Sequence, residues 1–247
     1  MFIFLSVKFF DSSMEDLLLR IKRSVLNDEH IYICETSVHG LIEAQRRPEF
    51  QQILNHAGFN VPDGMPIVWA GIMMGKKGIE RIYGPKLMEN LCALSEKMKW
   101  KIFLYGTTDS TLDLLSKKLK RIFPKLIIVG RHAPPFRALL DVEKNEIYQK
   151  INSSQAHVVF VGLSTPKQEL WMYEAKTHLN ANILVGVGAA FDFIAGIKPQ
   201  APIFMQRNGL EWLFRLFQEP RRLWKRYLIN NTLFCYYCFR SIFLLRK

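Results

Sequence analysis

Asp63 is the clearest candidate in the sequence for acid–base chemistry. It lies in the segment VPDGMPIVW, residues 61–69, and Gly64 follows it directly. A carboxylate in such a segment can act as a general base that removes a proton from an acceptor hydroxyl. Pro-Asp-Gly is also a strong turn sequence, and for this motif taken alone a turn without chemistry is the simpler interpretation.

The segment FVGLSTPKQELWM, residues 160–172, has the features of a diphosphate site. A predicted strand ends at Gly162, and a helix is expected to begin after Pro166 with Lys167 and Gln168. The free N–H groups of a helix N-terminus bind anions, and an adjacent lysine adds a full positive charge. An ordinary helix start explains the same residues equally well.

The segment GVGAAFDFIAGIKPQAP, residues 186–202, follows an apolar run and carries glycines and an aspartate. Gly188 leaves room for a phosphate or a sugar to approach the backbone, and the carboxylate of Asp192 can accept hydrogen bonds from sugar hydroxyls. A tight turn with a helix-capping aspartate is the simpler alternative for this stretch alone. The third glycine of the dinucleotide-binding fingerprint is missing, so an NAD site is not expected.

Positively charged side chains, rather than a metal ion, are the expected partners of a bound phosphate. Arg81, in the segment ERIYGPKLM (residues 80–88), can hold an anion or pair with a carboxylate. The sequence has no Asp-x-Asp pair, no ATP-binding P-loop and no histidine spacing typical of a metal site. We therefore expect no metal and no cofactor, with helix N-termini, Lys and Arg neutralising a diphosphate.

These candidates are expected to lie at one edge of a parallel β-sheet. Short apolar runs alternate with amphipathic segments, a pattern typical of βαβ units. We predict strands at residues 31–34, 100–105, 126–129, 156–161 and 183–185, and helices at residues 38–56 and 143–153. The fold class is therefore α/β, with a Rossmann-like, mostly parallel sheet flanked by helices. Ligands bind beyond the carboxyl ends of such strands, where Gly106, Gly162 and Gly188 are expected to lie.

From residue 204 onward the pattern changes to helices that are basic and aromatic. We therefore divide the chain into an α/β core, residues 1–203, and a helical appendage, residues 204–247. Residues 207–226 hold six basic and two acidic side chains. A basic amphipathic helix of this kind is typical of an anionic membrane surface, although a helix packed on the core shows the same pattern.

Helical spacing predicts roles for individual residues of the appendage. Arg222 and Arg226 are four residues apart and are expected to share one face. Arg222 is the candidate for binding a diphosphate, whereas Lys225 and Arg226 are expected to contact the membrane. The opposite face is expected to carry apolar and aromatic side chains, namely Leu223, Trp224, Tyr227 and Leu228.

The composition fits a globular protein with an anionic partner. Lys and Arg number 34 against 22 Asp and Glu, a net charge of +12, which suits nucleic acid, a phosphorylated substrate or an anionic membrane. No nucleic-acid-binding motif is present. The cysteine pattern favours a reducing compartment, and neither a signal peptide nor an apolar run of the ~20 residues that span a bilayer is expected. We therefore expect a cytoplasmic protein bound peripherally to the inner face of the cell membrane, and a homo-oligomer is compatible with the sequence.

Four segments occur together in the order and spacing of one family: PDGMPIVW, RIYGPKLM, VGLSTPKQELW, and GVGAAFDFIAGIKPQAP followed by GLEWLFRLFQEPRRLWKRY. From about residue 36 to residue 227 the chain resembles the WecG/TagA/CpsF glycosyltransferases (glycosyltransferase family 26). The resemblance implies transfer, with inversion, of a hexose or N-acetylhexosamine-type sugar such as ManNAc, ManNAcA or glucose. It implies a UDP-sugar donor and a polyprenyl-diphosphate-linked acceptor in bacterial cell-surface polysaccharide biosynthesis. The alternatives are a basic nucleic-acid-binding protein and a non-catalytic, membrane-associated α/β protein.

The resemblance also implies roles for individual residues. Asp63 matches the family's proposed catalytic base, and Thr36 lies in its first donor-site segment. His39, close to Thr36, is a candidate donor contact or a structural histidine. The other matches are polar or basic positions: Gln168 and Asp192 at the sugar-nucleotide pocket, and Arg215, Arg221 and Arg222 in the appendage that meets the lipid diphosphate. Many members have T-x-N where this chain has Thr36-Ser37-Val38.

Overall fold

The computed structural model describes residues 1–244, in which a hairpin precedes a six-stranded parallel sheet. The strands are β1 (Phe2–Phe4), β2 (Val7–Phe9), β3 (Ile31–Thr36), β4 (Phe59–Pro62), β5 (Lys101–Gly106), β6 (Ile127–His132), β7 (Val158–Gly162) and β8 (Ile183–Gly186). β1 and β2 pair in antiparallel fashion. The other six form one sheet in the order β4-β3-β8-β7-β5-β6, with every neighbouring pair parallel. The expected α/β fold class is therefore confirmed.

Helices cover both faces of this sheet and continue beyond its last strand. Those within the core are α1 (Met14–Leu26), α2 (Val38–Arg46), α3 (Pro48–Asn55), α4 (Met65–Met73), α5 (Gly84–Met98), α6 (Asp109–Ile122), α7 (Asp141–Ser153), α8 (Lys167–Ala175) and α9 (Ala190–Ala195). Those that follow are α10 (Ile203–Arg207), α11 (Glu211–Gln218) and α12 (Pro220–Leu244).

The single helix predicted over residues 38–56 is wrong, because the structure has two helices there. Arg47 has an extended backbone, with φ −131° and ψ 99°, and Pro48 begins the second helix. Proline has no N–H to continue a helical hydrogen-bond ladder, and it disfavours helical backbone at the preceding residue. The chain therefore turns at Arg47 and starts again as α3.

The core consists of two apolar layers, one on each face of the sheet. On β3, Tyr32 and Cys34 point into one layer, and Ile33 points into the other. Phe103 and Leu104 on β5 divide in the same way. Successive side chains of a strand alternate between faces, so strands buried on both sides need apolar residues at almost every position. This explains the short, continuous apolar runs in the sequence.

The appendage folds back over the core as helices α10 to α12. α12 packs along α2, where the side-chain amide of Asn230 donates a hydrogen bond to Nδ1 of His39 at 2.9 Å. Leu223 is buried, and the ring of Phe234 makes an edge contact with Phe4 of the hairpin. Among residues 1–244 no helix is both long enough and apolar enough to cross a membrane. The final part of the predicted appendage, residues 245–247, lies outside the described residues.

Candidate active site

A cavity of about 1420 Å³ opens at the carboxyl edge of the parallel sheet. Residues that follow β3, β4, β5, β7 and β8 line one side of it, and side chains from α11 and α12 line the other. Parallel strands end at the same edge of a sheet, so the loops that follow them converge there. The appendage therefore completes a cavity that the core begins.

Most residues singled out in the sequence lie on this cavity. They come from six separate stretches of the chain, which the fold brings together. They are His39, Asp63, Gly64, Arg81, Gly162, Lys167, Gln168, Gly188, Asp192, Arg215 and Arg222. Three others, Thr36, Gly106 and Arg221, lie off the cavity lining.

The prediction that Thr36 contacts a donor is not supported by its position. Its side chain is buried, and its hydroxyl donates a hydrogen bond to the side-chain oxygen of Asn60 at 2.5 Å. Glu35 and Ser37, the residues on either side of it, line the cavity instead. Successive side chains of β3 point to opposite faces of the sheet, so Glu35 and Thr36 have different surroundings, and Ser37 lies beyond the strand at the start of α2.

Gly106 and Arg221 also differ from their predicted roles as ligand contacts. Gly106 has φ +127°, and a Cβ at that position would stand 2.5 Å from the carbonyl oxygen of Gly162. Its role in the structure is therefore to allow the ends of β5 and β7 to approach closely. Arg221 is exposed at the start of α12, away from the cavity lining.

Asp63 follows β4 and is held at the cavity by Arg81. The backbone N–H of Asp63 donates to the carbonyl of Thr36 at 3.1 Å, which extends the β3–β4 pairing by one step. Arg81 donates from Nε to the carbonyl oxygen of Asp63, and its Nη2 lies 3.4 Å from Oδ1 of the Asp63 carboxylate. The Asp63 side chain is 31% exposed and lines the cavity. It is thus both oriented and open to a substrate.

The appendage contributes a second carboxylate to the same arginine. Nη2 of Arg81 lies 2.6 Å from Oε2 of Glu211 on α11, and Nη1 lies 3.5 Å from the carbonyl oxygen of Gln206. Burial raises the pKa of Asp63; Arg81 opposes this change and Glu211 reinforces it. Burial alone would lower the pKa of Arg81, but the carboxylates of Asp63 and Glu211 raise it above its usual value. A general base with a raised pKa is a stronger proton acceptor.

Glu35 is a cavity residue that the sequence analysis missed. It is 8% exposed, and its Oε1 has no hydrogen-bond partner among the described residues. Burial raises the pKa of Glu35 well above its usual value, and the charges of Asp63 and Glu169 raise it further, while Arg81 lowers it. The strand run IYICET gave no sign of which side chains face the ligand edge, because β3 is buried on both faces.

The start of α8 organises the loop that follows β8. Gln168 is buried, and its Oε1 accepts a hydrogen bond from the backbone N–H of Gly188 at 2.9 Å. Gly188 has φ +50°, a conformation that glycine adopts without strain. Glu169 is also buried and accepts a hydrogen bond from the Thr165 hydroxyl at 2.8 Å. Lys167 is exposed at the first position of the helix and lines the cavity, where the helix N-terminus and its ammonium group can bind an anion.

Asp192 belongs to a chain of ion pairs between the core and the appendage. Nζ of Lys198 lies 3.1 Å from Oδ2 of Asp192 and 3.5 Å from Oε1 of Glu219. Glu219 in turn pairs with Arg222. Asp192 therefore lines the cavity as a residue already paired with a lysine through Oδ2, and its contact with sugar hydroxyls stays a prediction.

Three arginines of the appendage line the cavity around Tyr227. They are Arg215 of α11 and Arg222 and Arg226 of α12. Burial lowers the pKa of Arg226, and the charges of Arg215 and Arg222 lower it further. Its Nε is buried without a hydrogen-bond partner among the described residues. Arg222 is paired with Glu219, whereas this Nε of Arg226 is free to donate, and three guanidinium groups in one place suit a diphosphate.

Two expectations for α12 therefore need correction. Arg226 lines the cavity beside Arg222, so its predicted role at the membrane is not supported by its position. Tyr227 also lines the cavity, although we placed it on the opposite face. The shared face of Arg222 and Arg226 is confirmed, whereas Trp224 and Leu228 are exposed elsewhere on the helix.

His39 holds α12 against the core. Burial lowers the pKa of His39 to about 3, and the nearby charges of Arg226 and Arg46 act in the same direction. The ring is therefore neutral at physiological pH, with Nδ1 as the acceptor for the amide of Asn230. Although His39 lines the cavity, this hydrogen bond favours the structural interpretation over a donor contact.

Known proteins similar to this chain are glycosyltransferases by family and by name. A model of the glycosyl transferase WecG/TagA/CpsF family matches residues 2–247. An N-acetylglucosaminyldiphosphoundecaprenol N-acetyl-beta-D-mannosaminyltransferase of Bacillus spizizenii is 28% identical over 221 residues, which cover 89% of this chain and 84% of that protein. A protein of the same name from Staphylococcus aureus (strain MW2) is 24% identical over 89% of this chain and 85% of its own length. The chain belongs to the WecG/TagA/CpsF family of glycosyltransferases.

Proposed function

We propose that this enzyme transfers a hexose or N-acetylhexosamine-type sugar, with inversion, from a UDP-sugar to a polyprenyl-diphosphate-linked acceptor in bacterial cell-surface polysaccharide biosynthesis. The relatives' names specify an N-acetylmannosaminyl group and an undecaprenyl-diphosphate-linked N-acetylglucosamine, so these are the first substrates to consider. The observation that carries the proposal is the placement of Asp63 in one cavity with the arginines of the appendage.

In the proposed reaction, Asp63 is the general base. Its ionised carboxylate accepts the proton of the acceptor hydroxyl while that oxygen attacks the anomeric carbon of the donor. The new bond forms on the face opposite the diphosphate, the old carbon–oxygen bond breaks, and UDP leaves with the electron pair. Arg81 orients the base through its contacts with the carboxylate and the carbonyl of Asp63. The raised pKa of Asp63 favours proton transfer in this step.

Two diphosphates must be bound, and the cavity offers cations at two places. We assign the leaving UDP to Lys167 and the N-terminus of α8, and the acceptor diphosphate to Arg215, Arg222 and Arg226. Helix N-termini and charge-assisted hydrogen bonds can stabilise phosphate charge without a divalent cation. Among residues 1–244 no group of three or more His, Cys, Asp or Glu side chains is placed to hold a metal ion. We therefore propose a metal-independent reaction.

We further propose that the chain divides into a core, residues 1–203, and an acceptor-binding appendage, residues 204–247. The protein is proposed to attach peripherally to the inner face of the cytoplasmic membrane. The position of the appendage arginines favours a small anionic ligand over nucleic acid. They converge inside a cavity, whereas nucleic-acid binding requires positive charge on an open groove or face.

A transfer assay with purified protein tests the proposal. UDP-N-acetylmannosamine and a short-chain prenyl-diphosphate-linked N-acetylglucosamine are supplied in buffer with EDTA, and product formation is expected. Asp63→Asn is expected to lower turnover by ~10²–10⁴, because the amide cannot accept the proton. Asp113→Asn is the matched control, since the Asp113 side chain is 47% exposed on α6, pairs with Arg131, and neither residue lines the cavity. Full activity of Asp63→Asn, or activity that requires Mg²⁺ or Mn²⁺, would contradict the proposed mechanism.

A further inference from the structure

Helix α4 is apolar on its outer side as well as on its inner side. Ile67, Val68 and Ala70 are buried, as expected of a helix packed on a core. The solvent side, however, carries Trp69, Ile72, Met73 and the C-cap Met74, which are 43%, 52%, 69% and 43% exposed. A surface helix normally presents charged or polar residues to water. A helix that is apolar all round requires a second apolar partner.

Apolar side chains are also exposed on α10, and the residue that follows α10 by two positions packs on α4. Gly209, just after α10, lies against α4: a Cβ on it would be 2.8 Å from the ring of Trp69. On α10 itself, Ile203 and Phe204 are 67% and 63% exposed. We call these side chains the apolar rim, made up of Trp69, Ile72, Met73, Met74, Ile203 and Phe204. Trp69 and Met73 also line the cavity, so the rim lies at its entrance.

The two chain segments that carry the apolar rim contain basic but no acidic residues, although Lys76 near Met74 pairs with Asp11 at 3.0 Å. Residues 64–79 and 193–210 contain no Asp or Glu, whereas Lys77 and Arg207 are exposed close to the ends of α4 and α10. Apolar side chains flanked by cations are the pattern of a surface that binds anionic lipid, since the cations meet head groups and the apolar groups enter the interface. A surface built to pack on a second protein is not required to lack acidic groups.

We propose that the apolar rim inserts into the interface of an anionic bilayer, so that the core as well as the appendage docks on the membrane. This inference rests on the proposed lipid-linked acceptor. The diphosphate of such an acceptor stays at the bilayer surface because its prenyl chain stays in the hydrocarbon. It reaches the arginines only if the cavity entrance lies at that surface. Side chains that insert about 5–10 Å would hold the entrance there.

The test compares two double variants of the full chain. Ile72→Gln/Met74→Gln alters the apolar rim without touching residues of the cavity lining. Leu114→Gln/Ile122→Gln on α6 is the matched control, because these side chains are 48% and 46% exposed and also lie off the cavity. Both are mixed with vesicles of phosphatidylcholine containing about 30% phosphatidylglycerol, and the bound fraction is measured by sedimentation. Thermal unfolding shows whether each variant is folded.

The rim variant is expected to bind these vesicles at least about tenfold more weakly than the wild type, and the control variant within about twofold. Ile203→Gln/Phe204→Gln provides an independent change of the same surface, should the first variant fail to fold. Equal vesicle binding by the wild type and a folded rim variant would overturn the inference. The inference would also be overturned if, without lipid, the wild type were a dimer and the rim variant a monomer, because the rim would then contact a second copy of the chain.

Failure of the inference can be told apart from failure of the proposed function. Transfer to a water-soluble acceptor analogue is measured without vesicles and tests the reaction alone. If transfer occurs but the folded rim variant binds vesicles as the wild type does, the reaction stands and the membrane inference is wrong. If the wild type transfers no sugar but the rim variant binds vesicles more weakly than the wild type, the membrane inference is supported and the proposed reaction is wrong.

Discussion

Glu35→Gln is expected to stabilise the protein at neutral pH, and increasingly so as the pH rises. Glu35 is almost fully buried, and burial raises its pKa well above the usual value. In the unfolded chain a glutamate ionises near pH ~4.3. Between that pH and the folded pKa, the native protein retains a proton that the unfolded chain has released. The free energy of unfolding of the wild type therefore falls as pH rises through this window, and glutamine removes the loss.

The magnitude follows from the linkage between proton binding and folding. One proton of difference changes the free energy of unfolding by about 1.4 kcal/mol per pH unit. The difference between Glu35→Gln and the wild type should therefore grow with that slope from about pH 4.3 upward and become constant above the folded pKa of Glu35. Glutamine has nearly the same shape and retains a hydrogen-bond donor, as a protonated carboxyl does. Urea unfolding of both proteins, measured at a series of pH values, gives the curve directly.

A constant difference between the two proteins across this pH range would refute the argument, because Glu35 would then ionise alike in the folded and unfolded states. Glu174→Gln is the control, since Glu174 is also acidic and lines the same cavity but is 46% exposed and paired with Lys144 at 2.7 Å. Loss of an exposed ion pair is expected to change stability by less than about 1 kcal/mol.

The remaining predictions concern the cations and the base. Arg226→Lys should lower transfer to a soluble acceptor at least about tenfold, because lysine cannot reproduce bidentate contacts with a diphosphate. Arg221→Lys, the control, should have little effect on transfer. Equal effects of the two substitutions would contradict the assignment of Arg226 to the acceptor diphosphate. The acid limb of the kcat/KM profile should follow the raised pKa of Asp63, since only the ionised carboxylate accepts a proton. Glu211→Gln should move that limb to lower pH, because the charge of Glu211 raises the pKa of Asp63. An acid limb that stays at the same pH or moves to higher pH would show that a group other than Asp63 titrates.

The parallel sheet could be predicted from the sequence, whereas the hairpin β1–β2 could not. Five of the six parallel strands are apolar runs long enough to recognise, and all five are confirmed. The turn of the hairpin is formed by Leu5 and Ser6, with φ 47° and 59°, although Gly, Asn or Asp usually occupy such positions. β4 is only four residues long and ends at Pro62, so its pattern was too short to predict. It is nevertheless the strand that positions Asp63.

The sheet edge that carries the cavity could be predicted from the sequence, but the direction in which individual side chains point could not. Gly162 and Gly188, which we expected at this edge, line the cavity. On β3, which is buried on both faces, no polar–apolar alternation shows that Glu35 rather than Thr36 faces the cavity. On α12, helical spacing grouped Arg222 with Arg226 but could not show which neighbour their shared face would meet. The neighbours that a side chain contacts are decided by tertiary packing, and the periodicity of a single segment gives no information about that packing.

Arg81 links the orientation of Asp63, the proposed base, to the docking of the appendage. Its guanidinium group contacts the carbonyl and the carboxylate of Asp63 and also Gln206 and Glu211 of the appendage, and one nitrogen, Nη2, lies close to both carboxylates. With both carboxylates present the arginine is shared, so neither neutralises it alone. Without the appendage, Arg81 would lose two of its partners and pair with Asp63 alone, which would lower the pKa of Asp63 and weaken it as a base. The helices proposed to bind the lipid-linked acceptor thus also tune the pKa of Asp63, the group proposed to deprotonate it, because both contact Arg81.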